Sequence, residues 1–115
     1  MHFHFFHYFW DMGIKVSDRA ELIQRLTGNG QQIRSFGIER ISVFGSFARD
    51  TKITPSSDID FVLDFIPGQK NFDNLVDLGD YLEDLLGRKV ELLTRESLKS
   101  DTGKHILATS QEVAI

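Results

Sequence analysis

The segment that most constrains the fold runs from Gly45 to Phe65 and reads GSFARDTKITPSSDIDFVLDF. Its Gly-Ser pair ends one apolar run, and DIDFVLDF opens the next. Successive side chains of a β-strand point to opposite faces, so residues two apart share a face. The predicted faces are Asp58, Asp60, Val62 and Asp64 on one side, and Ile59, Phe61, Leu63 and Phe65 on the other. Two carboxylates on one rigid face, opposite an apolar one, predict a divalent-metal platform beside a phosphate-binding turn.

Length, charge and residue usage restrict the class of protein. The 115 residues suffice for one domain, which buries roughly two-thirds of its unfolded surface. The net charge is −4 and no run of Lys or Arg occurs, which argues against non-specific nucleic-acid binding because such binding neutralises phosphates. Cysteine is absent, and no apolar run approaches the roughly 20 residues of a membrane span. We therefore expect a cytoplasmic protein without a membrane partner and without a nucleic-acid partner.

The first residues, MHFHFFHYFW, differ in composition from the rest of the chain. His2, His4 and His7 are compatible with zinc or nickel binding, but no carboxylate or cysteine completes a recognisable ligand spacing. We interpret residues 1–12 as an aromatic and His-rich extension, disordered or packed against a partner, with Met12 as the natural beginning of the chain. Residues 13–115 form the predicted domain.

Hydrophobic periodicity and turn residues predict an alternation of helices and strands. Ser17 or Asp18 begins the first helix, and Gly37 ends a second helical segment. Strands are predicted over 38–44, 58–65 and 89–93, with a short helix from residue 47 and a further helix and a small strand after residue 103. Asn71 or Asp73 begins the main helix, whose expected apolar face is Phe72, Leu75, Val76, Gly79, Leu82 and Leu86. This order predicts an α/β (α+β) fold, a small mixed sheet with helices on one face and a polar site on the other.

Acidic residues on two predicted strands are candidate metal ligands. Asp58 and Asp60 supply two carboxylates, and Glu91 supplies a third if its strand lies beside theirs. With two ions about 3.5–4 Å apart, such a site promotes in-line phosphoryl transfer. A lone D-x-D is more often a solvated strand face, so the prediction depends on the joint arrangement. Asp64 stands further along the strand, and we expect it to be solvated or salt-bridged and not a ligand.

The turn after the first predicted strand is a candidate nucleotide-binding element. Gly45 allows close backbone approach to a phosphate, and Ser46 can donate hydrogen bonds to it. Arg49 can pair with a triphosphate oxygen or with a carboxylate. Each residue alone is equally typical of an ordinary turn or surface charge.

These motifs resemble those of the minimal nucleotidyltransferases of the DNA polymerase β-like superfamily. The residues that carry the resemblance are VFGSFAR at 43–49, SDIDFV at 57–62 and GRKVELLT at 87–94. The resemblance implies that Ser46 contacts nucleotide phosphate and that Asp58 and Asp60 hold two Mg²⁺ ions. It also implies that Glu91 is the third acid of the site and that the fold is the nucleotidyltransferase palm.

Three features depart from the usual pattern of that family. The eleven residues from Phe47 to Ser57 make the loop one residue longer than is usual. Asp50 replaces the glycine that usually follows the arginine, and Glu91 replaces the usual aspartate. The departures lie at the site and leave the expected fold unchanged.

Short proteins of this type resemble the antitoxins of toxin–antitoxin modules whose toxin is a HEPN-type ribonuclease. The resemblance implies transfer of AMP from ATP to a hydroxyl, commonly of a toxin tyrosine, with release of pyrophosphate. The departures at Glu91 and in the loop leave open a second function, in which the antitoxin binds and occludes its toxin with weak or no catalysis. Transfer to RNA ends is a third alternative, which the acidic composition disfavours.

Overall fold

The computed structural model describes residues 15–115, which form a four-stranded sheet and its surrounding helices. The strands are β1 (Ile38–Phe44), β2 (Ile59–Phe65), β3 (Val90–Thr94) and β4 (Gln111–Val113). The helices are α1 (Arg19–Gly28), α2 (Gly30–Arg34), α3 (Ser46–Arg49), α4 (Phe72–Leu86) and α5 (Asp101–Thr109), with a 3₁₀ turn at Arg95–Ser97. The predicted extension with its three histidines lies outside the described residues. Within 15–115, every helix is too short or too polar to cross a membrane.

The sheet is mixed, as predicted, with strand order β3-β2-β1-β4. β1 pairs antiparallel with β2 and with β4, whereas β2 and β3 are parallel. A parallel pair cannot be joined by a tight hairpin and needs a crossover connection. Helix α4 supplies that connection, which places β3 at one edge of the sheet.

The core lies between one face of the sheet and the helices. Ile59, Phe61 and Leu63 of β2 are fully buried there, as the alternation of the strand predicts. The helix ends follow the predicted signals. The side chain of Asp18 accepts a hydrogen bond from the amide of Glu21 at the start of α1, and that of Asn71 accepts one from the amide of Asn74 at the start of α4. Gly87 ends α4 in the left-handed conformation, with φ of 70°.

The opposite face of β2 is less open than the sequence predicts. Val62 is 0% exposed and Asp64 is 9% exposed, and the 3₁₀ turn packs against this strand. Asp64 is salt-bridged, as one of the two predicted alternatives requires. Its Oδ1 lies 2.8 Å from Nε of Arg95, and its Oδ2 lies 3.4 Å from Nε of Arg40. Because Arg95 of the 3₁₀ turn pairs with Asp64, the Asp64 half of this face is less accessible than the half that carries Asp60.

The predicted apolar face of α4 is partly wrong. Phe72 is 77% exposed and Val76 is 40% exposed, whereas the buried residues are Leu78, Leu82, Leu85 and Leu86. A helix rotates by about 100° per residue, so Val76 lies about 160° around the helix from Leu78 and well outside the stripe that passes through Leu78 and Leu82. Phe72 is the first residue of the helix, where the apolar spacing alone does not show whether the core extends far enough to cover it.

Candidate active site

Asp60 and Glu91 lie side by side on neighbouring strands. The parallel register of β2 and β3 sets them opposite each other, and the neighbouring Glu91 raises the pKa of Asp60. Asp58 is exposed and acts on Asp60 through its charge. The structure therefore brings the three predicted acids to one end of the sheet face.

Asp58 is held by the loop and not by the strand. β2 begins at Ile59, one residue later than predicted, so the spacing between Asp58 and Asp60 is not fixed by strand geometry alone. The position of Asp58 depends on the preceding loop, which is the segment with the additional residue.

The electrostatics of Asp60 reflect this crowding. The pKa of Asp60 is raised from its ordinary 3.8 to about 6, chiefly by burial and further by the neighbouring carboxyl of Glu91 and the charge of Asp58. The positive charge of Arg49 lowers the pKa of Asp60 and so opposes them. A carboxyl group whose ionised form is disfavoured by neighbouring acids is one that a bound cation would restore to the ionised state.

Gly45 places the turn after β1 directly against Asp60. Its backbone has φ of 75° and ψ of −150°, a region open essentially only to glycine. A Cβ atom at this position would lie 2.5 Å from Oδ2 of Asp60. The carbonyl of Gly45 accepts hydrogen bonds from the amides of Ala48 and Arg49, and Ser46 begins the single-turn helix α3. The predicted nucleotide-binding turn is therefore adjacent to the predicted metal platform.

Asp50 accommodates one departure from the family pattern. It adopts the left-handed conformation, with φ of 57° and ψ of 38°, which glycine takes freely and aspartate tolerates. Its Oδ1 also accepts the amide of Arg19 at 3.0 Å, at the first residue of α1. The substitution therefore keeps the turn and adds a bond that a glycine could not form.

Arg88 lies next to the candidate site, and the sequence alone predicted no role for it. It is 8% exposed and donates to the carbonyls of Thr54 and Ser57 in the loop before Asp58. Arginine is rarely buried, so a single sequence gives no signal for this contact beyond the position of Arg88 after the glycine that ends α4.

The acidic residues fit a divalent cation of the magnesium type. Mg²⁺ is usually held by one or two carboxylates together with substrate phosphates, and not by an all-protein cage. Within residues 15–115, no three His, Cys, Asp or Glu side chains are gathered into a ready-made metal cage. The Asp60–Glu91 pair, with Asp58 nearby, supplies hard oxygen ligands of the kind and number that this mode requires.

Comparison with known proteins identifies the family. The sequence model of the nucleotidyltransferase domain family matches residues 30–112, which include the glycine turn and all three acids. The chain belongs to the nucleotidyltransferase domain family. This confirms the resemblance stated from the motifs and the prediction of a nucleotidyltransferase.

Similar proteins narrow the type of nucleotidyltransferase. Over 90 residues the chain is 39% identical to the protein adenylyltransferase MntA of Thermococcus cleftensis, covering 76% of this chain and 87% of that protein. A solved structure assigned as a minimal nucleotidyltransferase superposes with a TM-score of 0.69 and 26% identity, covering 85% of this chain and 96% of the other. A chain of a mutant MntA–HpeT toxin–antitoxin crystal structure gives a TM-score of 0.54 at 16% identity, covering 83% of this chain and 70% of the other. The last likeness concerns the fold alone, and together these matches confirm the predicted nucleotidyltransferase fold.

Proposed function

We propose that this nucleotidyltransferase transfers AMP from ATP to a hydroxyl of a partner toxin, and so acts as its antitoxin. The observation that carries the proposal is the contact between the Gly45 turn and Asp60, which itself pairs with Glu91. A backbone turn that approaches a carboxylate pair so closely suits a triphosphate whose oxygens meet the turn on one side and a cation on the other. The similarity to a protein adenylyltransferase supports a protein acceptor.

The proposed cofactor is Mg²⁺, as two ions, with ATP as the substrate. When bound, Mg²⁺ would neutralise phosphate charge at the site. Asp58 and Asp60 would hold it, with Glu91 as the third acid. Because the pKa of Asp60 is raised, a bound cation would favour loss of the Asp60 proton.

The proposed reaction exchanges one bond at the α-phosphorus. The acceptor oxygen bonds to the α-phosphorus while the bond from that phosphorus to the pyrophosphate oxygen breaks. Glu91 is exposed on the edge strand β3, and we assign it to take the proton of the acceptor hydroxyl. Ser46 and the backbone of its turn bind the triphosphate, and Arg49 is placed to balance its charge.

The proposed acceptor is a tyrosine of a HEPN-type toxin. The fold likeness to a chain of the MntA–HpeT toxin–antitoxin structure supports a toxin partner. The family resemblance suggests the HEPN class and the tyrosine. The exposed carboxylates of Asp58 and Glu91 suit an acceptor that arrives from outside on another protein.

Intact-mass spectrometry of the partner tests the proposal. The partner is incubated with the protein, ATP and Mg²⁺, and we expect one or more AMP adducts that map to tyrosine. Asp58→Ala should abolish the adducts, whereas Asp77→Ala, on the exposed surface of α4, should not. An unchanged partner mass at saturating ATP would refute catalysis.

Two other functions predict different results in the same experiment. An antitoxin that acts by occlusion would bind and silence the toxin without a change in its mass, and Asp58→Ala would still neutralise it. The departures at Glu91 and in the loop are the features that favour this alternative. A transferase acting on RNA ends would incorporate labelled ATP into tRNA and not into protein.

A further inference from the structure

Arg88 is a buried charged residue that connects three separated parts of the chain. Its Nε donates to the carbonyl of Val16 at 2.7 Å. Its Nη1 donates to the carbonyls of Thr54 and Ser57, both at 2.9 Å. Hydrogen bonds from a charged donor are shorter and stronger than neutral ones. Three such bonds fix a guanidinium whose removal would leave three carbonyls without these donors.

Two of these contacts flank the candidate active site. Ser57 directly precedes Asp58, so the bond to its carbonyl fixes the backbone from which the carboxylate projects. The guanidinium carbon of Arg88 also lies 5.0 Å from the ring centroid of Phe47, which is within cation–π range. Phe47 directly follows Ser46. Arg88 thus touches the residue next to the phosphate-binding serine and the residue next to the first metal-binding aspartate.

The first part of the loop between these two positions is held by Asp50, which accepts a hydrogen bond from the amide of Arg19, and by Ile53, which packs against the core. Asp50 and Lys52 both have positive φ, and residues 54–58 are largely exposed. Within the loop, the amide of Thr54 donates to the hydroxyl of Ser57, and the amide of Ser57 donates to the carbonyl of Thr54. This small turn is attached to the body of the protein by Arg88 and, at its surface, by the bond from Lys15 Nζ to the carbonyl of Pro55.

We propose that Arg88 is a positioning residue that sets Asp58 relative to Ser46, and so compensates for the longer loop. The inference rests on the proposed function for its catalytic consequence, and on the contacts alone for its structural consequence. Arg88 acts through the backbone of the loop and does not contact the reacting atoms.

Arg88→Met and Arg88→Lys test the proposal, with Arg25→Met as the matched control. Arg25 also donates to a backbone carbonyl, that of Leu85 at 3.1 Å, but it joins α1 to α4, away from the loop. Amide hydrogen exchange is measured on all variants at a temperature where each is folded. We expect Arg88→Met to raise exchange within residues 54–59 by about tenfold, Arg88→Lys to raise it less, and Arg25→Met to leave it unchanged.

Kinetics on the partner provide the second readout. Misplacement of a ligand by about 1 Å can cost on the order of a hundredfold, so Arg88→Met should lower kcat by tenfold or more. The KM for ATP should change little, since the turn at Ser46 remains. Arg88→Lys should restore part of kcat because it keeps a cation over Phe47. A role in stability alone would leave kcat unchanged in fully folded protein.

Hydrogen exchange tests the role of Arg88 independently of the proposed function, whereas the kinetics depend on that function. If the wild-type protein transfers no AMP, the proposed function fails, and hydrogen exchange still decides whether Arg88 holds the loop. Unchanged exchange within 54–59 in Arg88→Met, or a kcat equal to that of Arg25→Met in an active protein, would overturn the assignment of Arg88.

Discussion

Replacing Asp60 with asparagine should make the protein more stable at neutral and alkaline pH while it removes a proposed metal ligand. The folded protein holds the pKa of Asp60 at about 6, above its ordinary 3.8, so folding favours the protonated form. The corresponding stability is fully present below pH 3.8 and is lost as pH rises through about 6. Asparagine resembles the protonated side chain and cannot ionise. The asparagine variant should therefore keep this stability at neutral and alkaline pH.

The size of the effect follows from the shift. A rise from 3.8 to about 6 corresponds to about 3 kcal/mol at about 1.36 kcal/mol per pKa unit. Asp60 is partly exposed, so solvent screening reduces this to about 1–2 kcal/mol. We expect Asp60→Asn to raise the free energy of unfolding by that amount at pH about 8, and by much less at pH about 4.

Urea denaturation with a chelator present measures this difference. Asp77→Asn, on the exposed surface of α4, is the control for removing one negative charge from an acidic protein, and it should change stability little at either pH. Equal stability of Asp60→Asn and wild type at pH about 8, or an equal gain at both pH values, would refute the electrostatic account of the carboxyl cluster.

Three further predictions follow from the same site and its turn. Mg²⁺ should raise the melting temperature of the wild type more at pH about 8 than at pH about 5, because cation and proton compete for Asp60; calorimetry showing no pH dependence would contradict this. Gly45→Ala should cost at least about 2 kcal/mol by urea denaturation because of its φ and the nearby carboxylate. Gly68→Ala, with φ of 84° but nothing within 4 Å of a Cβ, should cost only about 1 kcal/mol, and equal losses would exclude the clash. Asp50→Ala should lower the free energy of unfolding by about 1–2 kcal/mol in the same assay, because it removes the bond to the amide of Arg19 and strains φ, whereas Asp50→Gly should cost less because glycine adopts this φ freely.

Local signals in the sequence predicted most of the fold. The alternation from Ile59 to Phe65 identifies β2 and its core face, and Asn71 and Gly87 mark the ends of the crossover helix. These signals work because they depend on the backbone and on near neighbours in the chain. Phe72 shows their limit, since helical spacing alone does not tell which apolar residue the sheet is wide enough to cover.

The sequence predicted which residues form the site, but not which of them lie side by side. Side-chain alternation shows that Glu91 is polar on an amphipathic strand, but the parallel register that sets it beside Asp60 is a tertiary property. The family resemblance supplied that pairing. The burial of Arg88 could not be predicted from one sequence, because its partners are backbone carbonyls, which have no residue signature.

The parallel pairing of β2 and β3 also determines when the site can form during folding. The β1–β2 pair, with Gly45 and Asp60, joins segments that are close in sequence. Glu91 reaches Asp60 only after α4 has docked across the sheet, because parallel strands depend on their crossover. Contacts of long sequence separation form late, since loop closure costs entropy before they stabilise the chain. A nascent chain that ends before Val90 therefore has the turn and both aspartates, but it cannot yet have the complete set of acids.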